Sequence, residues 1–195
     1  MEYNFFATIA RMKYINRWAL MRNTREENLS EHSLDVSMIA HALCVIGNVR
    51  YDKKLDADYA AVTALYHDAS EIITGDMPTP IKYYNQDIKE AYKTIEEKAN
   101  RKLLGQLPED MRAAYEDLFF KSPDKEYEWK LVKAADKLSA LIKCMEEEKT
   151  GNREFLKAKE TIQAAVEKLS KEFPEVEDFV REFIPSFAKT LDELN

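Results

Sequence analysis

Ala64-Leu65-Tyr66-His67-Asp68-Ala69-Ser70-Glu71 sets a histidine beside an aspartate and follows the pair with a glutamate one helical turn later. On a helix His67 and Asp68 project about 100° apart, close enough to share one ion, and Glu71 lies near both. The stretch belongs to a run opening at Asp56 or Ala57, in which Val62, Leu65, Tyr66, Ala69 and Ile72 or Ile73 recur at helical spacing. It reads as one helix with an apolar face and a chemical face, the latter shared with Ala60 and Ala64, whose small side chains leave room for a ligand. Gly75-Asp76-Met77-Pro78-Thr79-Pro80 stops it, because glycine suits a helix end and the prolines prevent continuation. A rigid loop directly after such a helix is well placed to hold a substrate.

The same helical logic extends outward. Only 4 Gly and 6 Pro in 195 residues leave little room for hairpins, so the chain reads as all-α, a single domain over 1–195 with ample length for a core. A net charge of -7, with no dense Lys/Arg run to offset it, argues against a protein built to grip nucleic acid polymers. Glu2, Arg11, Lys13 and Arg17 interrupt any signal-peptide core, and no run approaches the roughly 18 apolar residues of a membrane span, so a cytoplasmic protein is expected. Cys44 and Cys144 sit in apolar helical contexts and read as buried free thiols, which fits a reducing compartment.

Upstream, Phe5, Phe6, Ile9, Met12 and Ile15 mark a first helix over 3–15. Arg17, Trp18, Arg22 and Arg25 then crowd one loop, which reads either as a solvated basic connector with Trp18 plugged into the core or as an anion pocket. Asn28 or Ser30 caps the next helix, with Glu31 suited to its first turn; it runs to about Gly47 and is expected to bury Leu34, Met38, Ile39, Ala42 and Ile46. His32 falls in its first turn and can face a cleft, whereas His41 reads as structural. Downstream, helices are expected over about 81–104, 108–120, 124–149, 152–170 and 174–195. The 124–149 helix carries the stripe Leu131, Ala135, Leu138, Ile142 and Met145, with Asp136 set among its apolar and small residues, where a carboxylate needs a partner such as a cation.

His32, His67-Asp68 and Asp136 thus bring two imidazoles and two carboxylates from three helices, a nitrogen–oxygen donor set suited to a first-row divalent ion. Glu71 could accept or relay a proton beside it, and Arg17 or Arg22 could bind a phosphate. Those parts fit hydrolysis of a phosphate ester.

The order His32, His67-Asp68, Asp136 resembles the HD-domain superfamily of metal-dependent phosphohydrolases, and more narrowly its YfbR type of bacterial 5'-deoxynucleotidase. The resembling stretches are Ile15 to Asn23, Ser30 to Leu34, Tyr66 to Glu71, Thr74 to Pro80 and Lys133 to Asp136, with a weaker likeness over Val180 to Phe187. The resemblance implies an all-helical homodimer that removes the 5' phosphate from deoxyribonucleoside monophosphates and discriminates against ribonucleotides. It implies that His32, His67, Asp68 and Asp136 hold the divalent metal, cobalt, manganese or a similar ion. Arg17 would orient the phosphate, Trp18 would lie against the sugar and Glu71 would assist the water. Asp76, Met77, Pro78 and Thr79, with His32, Asp68 and Asp136, would contact substrate, while base preference does not carry over. The alternative within the same superfamily is a cyclic nucleotide or a nucleoside triphosphate as substrate.

Overall fold

The computed structural model describes residues 2–82 and 84–194, apart from the side chain of Thr79. The expected first helix is two tighter pieces, α1 (Phe5–Ile9) and a 3-10 segment Ala10–Tyr14, which bury Phe5 and Met12 and leave Phe6 exposed. A short antiparallel bridge between Asn16 and Asn28 then closes the arginine-rich loop against the start of α2 (Leu29–Tyr51). Asn28 caps α2 by accepting from the amides of Ser30 and Glu31, while Glu31 reaches back to the Asn28 amide, a reciprocal capping box.

Asp56 caps α3 (Ala57–Tyr66) through the Tyr59 amide. The helix expected to continue through Glu71 ends at Tyr66. Residues 67–70 form a tight turn, with Ala69 N–H bonded to the Tyr66 carbonyl and Glu71 N–H to the Asp68 carbonyl, before α4 (Glu71–Thr74). Gly75 leaves α4 with φ +72°, a conformation that favours glycine, and α5 (Thr79–Lys82) starts within the proline loop. The helix expected from Ile81 begins only at α6 (Gln86–Leu104), because Asn85 caps it by accepting from the Ile88 amide. The remaining helices are α7 (Glu109–Phe119), α8 (Glu126–Lys149), α9 (Leu156–Glu172) and α10 (Pro174–Glu182). The last expected helix stops at Glu182 and gives way to 3-10 turns at Ile184–Ala188, where Pro185 cannot continue a helix.

The result is an all-α, single-domain helical fold, with no β-sheet among the described residues. One apolar cluster is built on α2, α3, α8, α9 and α10 around Val36, Leu43, Leu131, Leu138, Val166 and Phe179. A smaller one joins α1, α6 and α7 around Phe5, Leu103, Leu107 and Phe119. Ala60 and Ala64 belong to the first cluster, and Tyr66 and Ala69 to the second. The two alanines therefore do not leave space for a ligand: both are fully buried, and their small side chains let α3 approach α2 and α8 closely. The turn between the clusters is where His67 and Asp68 emerge.

α2 runs through the middle of the larger cluster, packed by α3, α8 and α10. By length and composition alone it could cross a membrane, but in this fold it is a core helix. Its Ile39 and Ile46 are buried as expected, whereas Leu34 and Met38 are 54% and 57% exposed. Val62 and Leu65 of α3, also expected inside, are 40% and 39% exposed. The difference arises because α2 and α3 are apolar nearly all round, and the small residues rather than the large ones mark the packed side. Cys44 and Cys144 are buried free thiols, and burial pushes them up to about 12 and about 11.

Candidate metal centre

His32 is wholly buried in the first turn of α2, where the capping box fixes the helix start. Its Nδ1 lies 3.1 Å from Ser139 Oγ on α8. The Ser139 hydroxyl can accept from Nδ1–H, which leaves Nε2 as the nitrogen with the free lone pair. His67 is oriented in the same way by its own turn. Its Nδ1 donates to the Ala64 carbonyl at 2.7 Å, so Nε2 is the bare nitrogen. The two rings lie 5.3 Å apart, and both Nε2 atoms are buried without a hydrogen-bond partner. Asp68 Oδ2 is 3.1 Å from His67 Nε2 and 3.6 Å from His32 Nε2.

Two orphaned buried imidazole nitrogens beside a carboxylate are costly unless something binds them. One ligand atom from each of His32, His67 and Asp68 lies within 4.8 Å of the others, so the cluster can coordinate a divalent metal. Asp136 joins the edge of this group, with Oδ1 3.2 Å from His32 Nε2 and Oδ2 2.9 Å from Lys137 Nζ. Burial alone would raise the carboxyls of Asp68 and Asp136. The adjacent imidazoles, with Lys137 in the case of Asp136, hold both well below the usual carboxylate range. His32 is pushed down by burial and by Arg17, and so favours the neutral form a metal requires. Burial also works against protonated His67, but Asp68 raises its pKa.

Glu71 opens α4 and is 5% exposed, with Oε2 unpartnered. Burial, then the charges of Asp68 and Asp76, push its carboxyl up to about 9. Next to the cluster, Arg17 is held by Glu27, with Nη1 to Oε2 at 2.7 Å, and its Nη2 stands 3.9 Å from Asp136 Oδ1. Its buried Nε has no partner. Burial opposes its charge, but Glu27, Asp136, Asp68 and Asp76 together hold the guanidinium protonated.

Arg17, Trp18, Asp76, Met77, Pro78 and Pro80 face α9 residues Lys157, Ala158, Thr161 and Ile162 across a largely apolar cavity of about 590 Å³. Trp18 packs on Phe155 with ring centroids 5.3 Å apart, and its backbone amide donates to Asp76 Oδ2 at 3.1 Å. The arginine-rich loop is therefore not merely a solvated connector: Trp18 is packed on Phe155, and Arg17 is an interior cation. Arg22 is not part of the site. Its side chain is 92% exposed and pairs with Glu154. His41 is likewise remote from the centre, half exposed and 4.0 Å from Asp58. Thr79 lies outside the described side chains.

Sequence reasoning missed Ser139, Glu27, Phe155 and the α9 wall. Ser139 had a local signal, since it follows Asp136 by three residues on one face of α8. The contacts of Glu27, Phe155 and α9 depend on tertiary placement.

A helical fold with a histidine–aspartate centre beside a buried arginine fits the class of metal-dependent HD-type phosphohydrolases. The fold matches an HD-domain phosphohydrolase from Listeria innocua with a TM-score of 0.82 at 24% identity, covering 94% of this chain and 88% of that one. It also matches an HD phosphohydrolase of cyanophage S-2L, solved with dA and one catalytic Zn2+ ion, with a TM-score of 0.64 at 19% identity, covering 96% of this chain and 98% of that one. Residues 4–187 match the family model described as 5'-deoxynucleotidase YfbR-like, and the chain belongs to that family. A 5'-deoxynucleotidase of Erwinia tasmaniensis is 48% identical over 192 residues, 98% of this chain and 96% of that protein. The 5'-deoxynucleotidase YfbR of Escherichia coli is 46% identical over the same extent, again 98% and 96%.

Proposed function

We propose that this protein is a metal-dependent 5'-deoxynucleotidase, hydrolysing deoxyribonucleoside 5'-monophosphates to deoxyribonucleoside and phosphate and selecting against ribonucleotides. The observation that carries this reading is the pair of unpartnered buried Nε2 atoms of His32 and His67 clustered with Asp68, with Arg17 beside them at Asp136 and lining the apolar cavity. His32, His67, Asp68 and Asp136 would hold a divalent ion, cobalt, manganese or a similar one. When bound, that ion supplies Lewis acidity, lowering the pKa of water and offsetting charge on a phosphoryl oxygen.

Arg17 binds and orients the phosphate, using the guanidinium hydrogens that Glu27 leaves free. Glu71 holds or moves the proton, its carboxyl close enough to Asp68 and Asp76 to feel both charges. Asp76, Met77 and Pro78, which line the cavity, would contact the substrate together with Thr79, and Trp18 would form the wall for the sugar. A 2' hydroxyl pressed against that wall loses its water partner, at roughly 1–3 kcal/mol, or about one to two decades of selectivity. Arg22 pairs with Glu154 at the surface, which leaves Arg17 as the arginine of this loop that would meet the phosphate.

The same reading includes a cytoplasmic homodimer. The two free buried thiols support a reducing compartment, and the exposed apolar residues shared by α2 and α3 support self-association. The activity is tested by stripping the protein of metal and measuring phosphate release from dAMP and AMP, with and without manganese or cobalt. Release from dAMP is expected only with metal, and equal turnover of AMP would remove the sugar selectivity.

A further inference from the structure

Trp18 adopts φ +58°, a left-handed conformation that a bulky residue rarely takes. Such a backbone persists only where its surroundings over-determine it. The surroundings here are specific. The Trp18 amide is taken by Asp76, its carbonyl accepts from the Met21 amide and the Asn23 side chain, and its ring is packed on Phe155. The remaining polar atom, indole Nε1, donates to Glu27 Oε2 at 3.1 Å. That same oxygen accepts from Arg17 Nη1 at 2.7 Å.

We propose that Glu27 is a positioning residue of this site: one carboxylate oxygen ties the Arg17 guanidinium to the Trp18 indole, so that cation and ring are set as one unit. The backbone makes the link stiff. Arg17 N–H donates to the Glu27 carbonyl at 2.8 Å and Leu29 N–H to the Ile15 carbonyl at 3.0 Å, so the loop is laddered to the segment that starts α2. Asn28, which follows Glu27, caps the helix that carries His32. Glu27 thereby registers the anion-binding arginine and the aromatic wall against a metal-cluster histidine. Its side chain is 12% exposed, shielded enough for charge-assisted bonds to keep their strength. An isosteric amide oxygen could meet the same two donors but carries no charge, so the ion pair with Arg17 and the strength of both charge-assisted bonds are lost.

The role rests on the proposed nucleotidase activity, and the test separates the two. Glu27→Gln is expected to lower kcat/KM for dAMP roughly tenfold or more, mainly through KM, and to narrow the preference for dAMP over AMP. Its thermal midpoint and manganese content should stay near wild type. Arg17→Gln combined with Glu27→Gln should lose less than the product of the single losses, since Glu27 acts through Arg17. The second readout needs no turnover: in a Trp129→Phe background Trp18 is the only indole, and Glu27→Gln should make its fluorescence easier to quench with acrylamide. Unchanged KM and quenching would overturn the proposal, as would a loss of kcat and thermal midpoint in parallel with KM and quenching unchanged. If the parent protein hydrolyses no deoxynucleotide, the activity reading falls, and the quenching comparison still decides whether Glu27 holds Trp18.

Discussion

Glu71 shows how a single buried carboxyl changes preference with what shares its surroundings. In the metal-free protein, burial and the charges of Asp68 and Asp76 raise it from the ordinary 4.5 to about 9. Folding therefore favours its protonated form: the stabilisation is complete below about pH 4.5 and is lost as the pH climbs towards about 9. Glu71→Gln imitates the protonated carboxyl, so the metal-free variant should resist urea better than metal-free wild type at pH 8, by more than about 1 kcal/mol. The difference should vanish near pH 4, and a variant less stable at pH 8 would contradict the assignment. With manganese present the order of merit reverses, because turnover should fall by roughly 10²–10⁴ in the variant. At this scale much was legible in advance. His32, His67, Asp68 and Glu71 were picked out by residue type and spacing, and they meet in space. Arg22 was not distinguishable from Arg17, because two arginines in one loop look alike until one of them finds Glu27 and the other Glu154.

Among the elements, α3 and α8 contrast in how well periodicity described them. The apolar spacing through Asp56–Ile73 reads straight across the turn at 67–70, since a tight turn built on Tyr66 and Asp68 carbonyls disturbs the phase too little to register in a pattern of residue types. In α8 the stripe from Leu131 to Ile142 is buried as expected, yet the helix also carries a polar assembly that no periodicity reveals. Glu147, 2% exposed, accepts from Lys143, from the Thr24 and Arg25 amides and from Asn152. Lys143 also donates to the Arg25 carbonyl and lies over the Phe155 ring that supports Trp18. One to three turns beyond Asp136 and Ser139, α8 thus clamps the far end of the Arg17–Trp18 loop through Lys143 and Glu147. Burial alone would raise the Glu147 carboxyl, but these donors hold it down at about 2, against 4.5 ordinarily. The stability it contributes is present above about pH 4.5 and drains away as the pH falls towards about 2. Glu147→Ala leaves the buried Lys143 without its counter-charge and should cost about 3 kcal/mol in urea unfolding at pH 7. That deficit should shrink on acidification, and a cost that did not depend on pH would point to packing alone.

On the molecular surface, exposed apolar residues, among them Leu34 and Met38 that sequence reading placed inside, are the argument for the proposed self-association. Leu34, Met38, Val45 and Val49 follow one another at intervals of four, seven and four along α2, so they lie on one stripe, and all are exposed. His41 lies between them and reaches Asp58 on α3, whose Val62 and Leu65 extend the stripe sideways. An apolar surface shared by two neighbouring helices is more than the scattered exposure of an ordinary monomer. A two-fold axis through it would bring the same stripe from a second copy into register, each Met38 near its counterpart or a close neighbour. The buried side of the same turn of α2 holds His32, so each metal cluster would stay within its own chain, facing away from the contact. Sedimentation should therefore give a dimer for the wild-type protein, and Leu34→Glu with Met38→Glu should give a folded monomer, because paired charges at a self-complementary face repel. Phosphate release per chain should remain within a few-fold of wild type, since the substituted side chains point away from the ligands. A wild-type protein that sediments as a monomer at all concentrations, or a double variant that remains dimeric, would rule out this face as the interface.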